Sequence, residues 1–167
     1  MVKSKREILK LSKKIEMIIT DVDGVLTDGG MYYFEKGEYL KKFNTRDGMG
    51  FELLKNFKIK TIIMTRENSQ IVRERAKKIK ADKVFLGILK KENMLENICK
   101  KNKILPKNIA YIGDDINDLR IMQKVGLTFT PQDGMEIIKK NADYICKMKG
   151  GEGVFREIAD LIISGRV

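Results

Sequence analysis

The stretch IITDVDGVLTDGG, residues 18–30, begins as a short apolar run typical of a buried strand and breaks into two aspartates followed by glycine. Asp21 and Asp23 are two residues apart, and side chains at i and i+2 of an extended chain point to the same side. Their carboxylates therefore repel each other unless a positive charge lies nearby. A hard divalent cation or a neighbouring lysine would supply that charge, and the rest of the sequence must decide between them.

Apolar strand-like runs alternate with helical patterns along the rest of the chain. The runs cover residues 17–20, 59–65, 83–87, 109–114, 127–130 and 143–146. Near-continuous apolar strands separated by helices predict a parallel sheet that is covered on both faces. We therefore expect an α/β fold, a three-layer doubly wound parallel sheet, with ligands bound at the carboxyl ends of its strands.

Residues 29–43 interrupt this alternation and predict a β-hairpin inserted after the first strand, with its turn at 35–38 and Gly37 in the turn. The segment is rich in aromatic residues, namely Tyr32, Tyr33, Phe34, Tyr39 and Phe43. A small local core cannot cover all of them, so we expect some to contact another subunit.

The length of 167 residues predicts one domain, residues 1–167, that ends in a glycine-rich tail and a C-terminal helix over 150–167. The chain contains no histidine, so acid–base chemistry must come from carboxylates, lysine or tyrosine. It has no apolar run of membrane-spanning length and no signal-peptide pattern, which predicts a cytoplasmic protein without a membrane partner. Cys99 and Cys146 have no metal-like spacing and are expected to be core thiols.

The net charge of +11 is concentrated in part in residues 1–14. Apolar residues recur in that segment, which favours an amphipathic helix over a nucleic-acid-binding arm. No aromatic and basic interleaving suggests a nucleic-acid surface elsewhere. A positive field suits a small anionic substrate.

Polar residues follow the other predicted strands at the same edge of the sheet. Thr65 ends the second strand, Lys91 follows the third, and Asp114 ends the fourth. Three aspartates that converge on one crevice need a cation, and the oxygen ligands of Asp21 and Asp114 suit Mg²⁺. A signalling receiver domain also combines aspartates, Thr and Lys, but its phosphoacceptor lies on the third strand, where this chain reads GILKK.

The order of these motifs resembles that of the haloacid dehalogenase superfamily of phosphotransferases, which carry DxDx[TV], a Ser or Thr, a Lys and GDDxxD. The resemblance implies that Asp21 is the nucleophile and that Asp23 is the general acid and base. It also implies that Thr65 and Lys91 hold the transferring phosphoryl group. The remaining roles concern the cation: Mg²⁺ would be bound by Asp21, Asp23 and Asp114, and supported by Asp115 and Asp118.

Four blocks of the sequence resemble the phosphatases of 2-keto-3-deoxy sugar acid phosphates. They are DVDGVLTDG, FNTRDGMGF (43–51), GDDINDLRIMQKVGL and GGEGVFRE (150–157). Those enzymes are typified by the 3-deoxy-D-manno-octulosonate (KDO) 8-phosphate phosphatases. The resemblance implies a sugar acid phosphate substrate, no cap domain and a homotetramer assembled through the 29–43 hairpins. It assigns substrate contacts to Asp23, Lys91, Asn44, Arg46, Asp47, Gly48 and Arg75, with a helix N-cap as the other interpretation of Asp47.

One departure from that pattern concerns substrate length. After the second strand the octulosonate phosphatases read TGR, whereas this chain reads Thr65, Arg66, Glu67. A glutamate here, with Lys78 further along the helix, resembles the branch that acts on the 9-phosphates of KDN and N-acylneuraminates. We therefore expect the octulosonate as substrate and keep the nine-carbon acids as the alternative. The tail 150–157 is either a lid or a loop that leads into the last helix.

Overall fold

The computed structural model describes residues 2–167 and contains a six-stranded, fully parallel sheet in the order β5-β4-β1-β6-β7-β8. The strands of this sheet are β1 (Met17–Thr20), β4 (Lys60–Met64), β5 (Lys83–Phe85), β6 (Ile109–Ile112), β7 (Leu127–Thr130) and β8 (Tyr144–Ile145). Each lies within one of the apolar runs, and the predicted doubly wound parallel sheet is confirmed.

Helices cover both faces of the sheet. They are α1 (Lys5–Ser12), α2 (Thr45–Asn56), α3 (Gln70–Lys78), α4 (Leu95–Asn102), α5 (Leu119–Met122), α6 (Glu136–Lys139) and α7 (Val154–Ser164). Strand alternation divides the core between the two faces, because Ile18 packs with α1, α2, α3 and α7 whereas Met17 and Ile19 pack with α4, α5 and α6.

The central strand β1 lies between β4 and β6, and this arrangement places the site. The chain continues from β1 to β4 and β5 on one side of the sheet, then returns to β6 on the other. The connections that follow β1 and β6 therefore diverge and leave a crevice at the carboxyl ends of these two strands. Asp21 and Asp114 lie at this crevice.

The predicted hairpin is present as β2 (Tyr32–Phe34) and β3 (Gly37–Leu40), a separate two-stranded antiparallel sheet. Two details differ from the prediction. Gly37 begins the second strand with φ +116° instead of lying inside the turn. Phe43 packs against the main core, with the guanidinium of Arg75 5.4 Å from its ring centre, so it is not one of the exposed aromatics.

The N-terminal helix is amphipathic, as predicted, and its apolar face is buried. Ser4 and Glu7 form a capping box at its start, and the Ile8 side chain is fully buried against the core that includes α7. Among residues 2–167, no helix has the length and apolar character needed to span a bilayer.

The tail 150–157 forms a turn against the loop after β1 and then enters α7. The Gly151 amide donates to the Val25 carbonyl oxygen, and the Gly150 amide donates to Asp133. A Cβ at Gly150 would lie 2.1 Å from the Gly24 carbonyl oxygen, so only glycine permits this close approach. The structure therefore shows this segment as a packed loop leading into the helix.

Candidate active site

Three carboxylates meet at the carboxyl end of the sheet. One oxygen each of Asp21, Asp114 and Asp118 lies within 4.8 Å of the other two. Asp21 directly follows β1, and Asp114 follows β6 by one residue, so parallel pairing of the two strands brings them together. The convergence expected from the strand ends is confirmed by this geometry.

Lys91 neutralises part of this negative charge from inside the protein. Its side chain is fully buried, and its Nζ lies 2.6 Å from an oxygen of Asp21 and 2.6 Å from an oxygen of Asp118. Burial acts to lower the pKa of Lys91, but the two carboxylates outweigh it and the pKa is raised, so the ammonium stays charged. A lysine therefore offsets part of the repulsion between the carboxylates. Negative charge nevertheless remains in the cluster, so a cation is also needed.

The remaining negative charge raises the pKa values of carboxyl groups in the cluster. Burial is the largest cause that raises the pKa of Asp21 to about 7, with added repulsion from Asp118. Burial also raises the pKa of Asp114 to about 8, again with repulsion from the neighbouring carboxylates. Ionising both groups at neutral pH therefore requires positive charge beyond that of Lys91. A hard divalent cation with carboxylate ligands meets this requirement, so the residues present fit Mg²⁺.

Asp118 is the most constrained member of the cluster. It is fully buried and accepts hydrogen bonds from the Tyr111 hydroxyl at 2.6 Å and from the Asp114 amide at 3.0 Å, besides that of Lys91. These bonds orient the turn that carries Asp114, and the supporting role expected of Asp118 stays a prediction. The second expected supporting residue, Asp115, accepts a hydrogen bond from the Ile116 amide at the start of the same turn.

A pocket of about 290 Å³ opens next to the cluster. It is lined by six predicted site residues, Asp21, Asp23, Thr65, Glu67, Asp114 and Asp115, and by Gly24, Gly29, Arg66 and Asn117, which sequence reasoning did not single out. The Thr65 hydroxyl oxygen accepts the Glu67 amide hydrogen at 3.1 Å. Its own proton is therefore available for an oxygen bound in the pocket.

Asp23 lies in this pocket but outside the cluster of three carboxylates, and its place among the cation ligands stays a prediction. Its Oδ1 lies 2.5 Å from Nζ of Lys41, a residue that sequence reasoning missed. Lys41 follows β3, and its side chain is fully buried. Spacing along the chain gives no sign of this contact, because the hairpin brings Lys41 to Asp23 through space.

The predicted substrate contacts outside the pocket are spread over other surfaces of the chain. Asn44, Arg46, Asp47, Gly48, Arg75 and Lys78 do not line the 290 Å³ pocket within residues 2–167. Gly48, Arg75 and Lys78 border a separate cleft of about 540 Å³ between α2 and α3. Asn44 is the N-cap of α2 and donates from its side chain to the Gly151 carbonyl oxygen. These assignments remain predictions.

Asp47 does not cap α2, since Asn44 does, but lies in the first turn and connects α2 to α7. It is buried; its Oδ1 accepts the Arg156 amide hydrogen at 3.1 Å, whereas its Oδ2 has no hydrogen-bond partner among residues 2–167. Burial raises the pKa of Asp47 to about 6 against the opposing hydrogen bonds and the charge of Arg75. The native state therefore holds this proton more tightly than the unfolded chain does.

The Asp47→Asn variant tests the raised pKa of Asp47 through the pH dependence of stability. Because the native pKa is raised, the wild type loses stability as pH rises from about 4 to about 6, and the full cost, on the order of 2–3 kcal/mol, is present above that window. The free energy of unfolding in urea should therefore shift in favour of the variant between pH 4 and pH 7. The other titrating groups are the same in both proteins, so their effects cancel when the two free energies of unfolding are subtracted. A difference that stays constant with pH would therefore contradict the raised pKa of Asp47.

Gly24 holds the pocket open beside Asp114. Its φ is +78°, and a Cβ at this position would lie 2.1 Å from Asp114 Oδ2. We expect Gly24→Ala to displace the Asp114 carboxylate and to lower kcat/KM for phosphate release by about 10²-fold, the cost of a misplacement of about 1 Å. Gly87→Ala is the matched control, because Gly87 also has a positive φ of +71°, but a Cβ there would lie 3.9 Å from the Cβ of Asn68, at ordinary van der Waals distance. Equal losses in both variants would contradict the account.

Comparisons with known proteins show the family of this chain. A family model described as haloacid dehalogenase-like hydrolase matches residues 3–158. The 3-deoxy-D-manno-octulosonate 8-phosphate phosphatase of Escherichia coli strain K12 is 34% identical over 157 residues, which cover 94% of this chain and 84% of the relative.

Solved structures show the same likeness. The Moraxella catarrhalis 3-deoxy-D-manno-octulosonate 8-phosphate phosphatase, in complex with a magnesium ion, a phosphate ion and KDO, superposes with a TM-score of 0.93 at 34% identity over 96% of this chain and 92% of the other. The cobalt-bound Haemophilus influenzae phosphatase superposes with a TM-score of 0.90 at 36% identity, over 94% of this chain and 91% of the other. With the matching family model spanning nearly all of the sheet and the site, this chain belongs to the haloacid dehalogenase-like hydrolases.

Proposed function

We propose that this protein is a Mg²⁺-dependent phosphatase that hydrolyses 3-deoxy-D-manno-octulosonate 8-phosphate through a phosphoryl group carried on Asp21. The observation that carries the proposal is the position of Asp21, which lines the pocket, lies beside Asp114 and is held by Lys91 at 2.6 Å. The named relatives with the same fold act on that sugar acid phosphate.

The chemistry follows from two carboxylates with different surroundings. An oxygen of Asp21 attacks phosphorus while Asp23 donates a proton to the leaving oxygen, so that the ester bond breaks as the acyl phosphate bond forms. Asp23 then takes a proton from the water that attacks phosphorus, and Asp21 is released with inorganic phosphate. The Thr65 hydroxyl binds a phosphoryl oxygen during both steps.

The metal role falls to Asp21 and Asp114. When bound there, Mg²⁺ supplies positive charge against the phosphoryl oxygens. Lys91 supplies charge from inside the protein: it is fully buried and bonded to two carboxylates, and it is not among the residues that line the pocket within residues 2–167. Its contribution is thus to hold Asp21 ionised and in place, and Asp118 and Tyr111 hold the acidic turn.

The octulosonate is the preferred substrate in this proposal, and the nine-carbon alternative is not favoured. The relatives compared above, which share about a third of their residues with this chain, are named for the eight-carbon phosphate. Glu67 lines the pocket next to Arg66, so a substrate contact by Glu67 remains part of the proposal.

The test is phosphate release from purified protein with the 8-phosphate, a nine-carbon sugar acid 9-phosphate and a generic aryl phosphate. We expect kcat/KM to be at least about tenfold higher on the 8-phosphate than on the 9-phosphate, with loss of activity in excess EDTA and recovery on adding Mg²⁺. Preference for the 9-phosphate would overturn the substrate, and full activity in EDTA would overturn the metal requirement.

We also propose that the chain assembles as a homotetramer through the hairpin. Tyr33, Phe34 and Tyr39 are 65%, 66% and 69% exposed, a concentration of aromatic surface that a partner would cover. Such contacts would help enclose a pocket that lies open beside the hairpin.

The assembly prediction concerns mass in solution. Light scattering should give about four times the chain mass of 19.2 kDa, and Tyr32→Glu with Phe34→Glu should lower it, because charges are costly in an apolar interface. The control is a double substitution on an exposed helical face, Lys100→Glu with Lys101→Glu, which should leave the mass unchanged. A fully active, monomeric wild type would contradict the proposal.

A further inference from the structure

Lys41 is a buried cation whose presence the reaction scheme above does not yet explain. Its side chain is fully buried, and its Nζ lies 2.5 Å from Asp23 Oδ1 and 2.5 Å from Glu38 Oε1. Burying an ammonium costs several kcal/mol unless well-placed partners offset the loss of water. Two carboxylates at this distance offset it, which makes the contact a fixed feature of the hairpin.

The far end of this network is also anchored. Glu38 Oε2 accepts a hydrogen bond at 2.7 Å from the Ser69 hydroxyl. Ser69 is the N-cap of α3, yet its side chain makes no capping bond. A residue that ordinarily stabilises its own helix is thus used to hold Glu38 and, through Glu38, Lys41.

The contact with Lys41 holds one of the two oxygens of Asp23. Oδ1 is held by Lys41, whereas Oδ2 has no hydrogen-bond partner among residues 2–167. The anchored oxygen fixes the rotation of the carboxyl group, and Oδ2 is buried. General acid catalysis depends on this kind of orientation as much as on acidity.

We propose that Lys41 is a positioning residue for the general acid: by holding one oxygen of Asp23, it fixes the orientation of this carboxyl group for proton transfer to the leaving group. The inference rests on the proposed function, because it requires Asp23 to act as acid. It places part of the catalytic apparatus on the hairpin, since Lys41 and Glu38 both come from it. Lys41 does not bind the phosphate in this scheme, because its side chain has no exposed surface.

The test compares two phosphate esters whose leaving groups differ in their need for a proton. Loss of a positioned acid slows departure of an alkoxide, which needs a proton, far more than departure of p-nitrophenolate, which does not. We expect Lys41→Met to lower kcat/KM on the octulosonate 8-phosphate by about 10²-fold and on p-nitrophenyl phosphate by less than about fivefold. KM for the sugar acid phosphate should stay within about twofold of wild type while kcat falls.

Two further variants keep the result interpretable. Lys42→Met is the matched control, because Lys42 is the next residue, is 62% exposed and pairs with Asp28, and it should behave as wild type on both substrates. The double variant Glu38→Gln/Lys41→Met removes a carboxylate together with the cation, so it should fold even if Lys41→Met does not. Its loss on the octulosonate 8-phosphate should again exceed its loss on p-nitrophenyl phosphate.

The outcomes separate this inference from the proposed function. An active wild type with equal losses on both esters in the Lys41 variants would overturn the positioning role alone. A raised KM with unchanged kcat would also overturn it, since that pattern means a substrate contact. A wild type that hydrolyses neither ester would overturn both the proposed function and this inference.

Discussion

Lys91→Met is expected to lower phosphate release by at least about 10³-fold, because the fully buried ammonium lies 2.6 Å from both Asp21 and Asp118 and no water can replace its charge. The variant leaves two buried carboxylates without their shared cation. Removing one partner of a buried ion pair typically destabilises a protein by about 3–5 kcal/mol. Activity and the free energy of unfolding should therefore fall together.

The control for this variant is Lys90→Met. Lys90 is the preceding residue and is exposed, so the same chemical change should leave both activity and stability near wild type. Steady-state phosphate release and urea unfolding in the same buffer measure the two effects. A Lys91→Met protein with wild-type activity would mean that Asp21 does not need this cation, and the proposed arrangement of charge would be wrong.

The sequence predicted the centre of the site because the geometry of a parallel sheet is regular. Asp21, Thr65 and Asp114 each follow a strand, and parallel strands end at one edge, so their convergence follows from strand order alone. Lys91 was identified from its place after the third strand and its order among the motifs. The structure adds that Lys91 is buried against Asp21 and Asp118 and is not among the residues that line the pocket within residues 2–167.

What the sequence did not predict depends on contacts that the folded chain makes through space and that no regular spacing along the chain indicates. Lys41 reaches Asp23 because the hairpin folds back over the loop after β1, and the Tyr111 hydroxyl reaches Asp118 across a turn. Neither contact has a signature in spacing. The clash that a Cβ at Gly24 would make with Asp114 is likewise visible only in three dimensions, although the DG sequence marks a turn.

The predicted substrate contacts show a further limit. Resemblance grouped Arg46, Gly48 and Arg75 with the active site, but within one chain they border other clefts than the catalytic pocket. A motif records which residues occur together, and it does not record whether they meet within one subunit. The hairpin assembly proposed above is one arrangement in which such surfaces could lie near a neighbouring site.

Asp21→Asn should remove catalysis while preserving the fold. An amide fills the same space as the carboxylate but cannot accept a phosphoryl group, so kcat should fall by at least about 10⁴-fold. Burial and repulsion from Asp118 raise the pKa of Asp21 to about 7 despite the charge of Lys91, so losing this buried carboxylate should cost little stability. Asp28→Asn is the matched control, because Asp28 pairs at the surface with Lys42.

The most direct measurement is therefore Mg²⁺-dependent release of phosphate from 3-deoxy-D-manno-octulosonate 8-phosphate by wild type, Asp21→Asn and Asp28→Asn, with thermal melts of all three proteins. We predict turnover by wild type and Asp28→Asn, none above background by Asp21→Asn, and folded protein in every case. A folded Asp21→Asn variant that retains more than about a tenth of the wild-type rate would contradict the central claim that Asp21 carries the phosphoryl group.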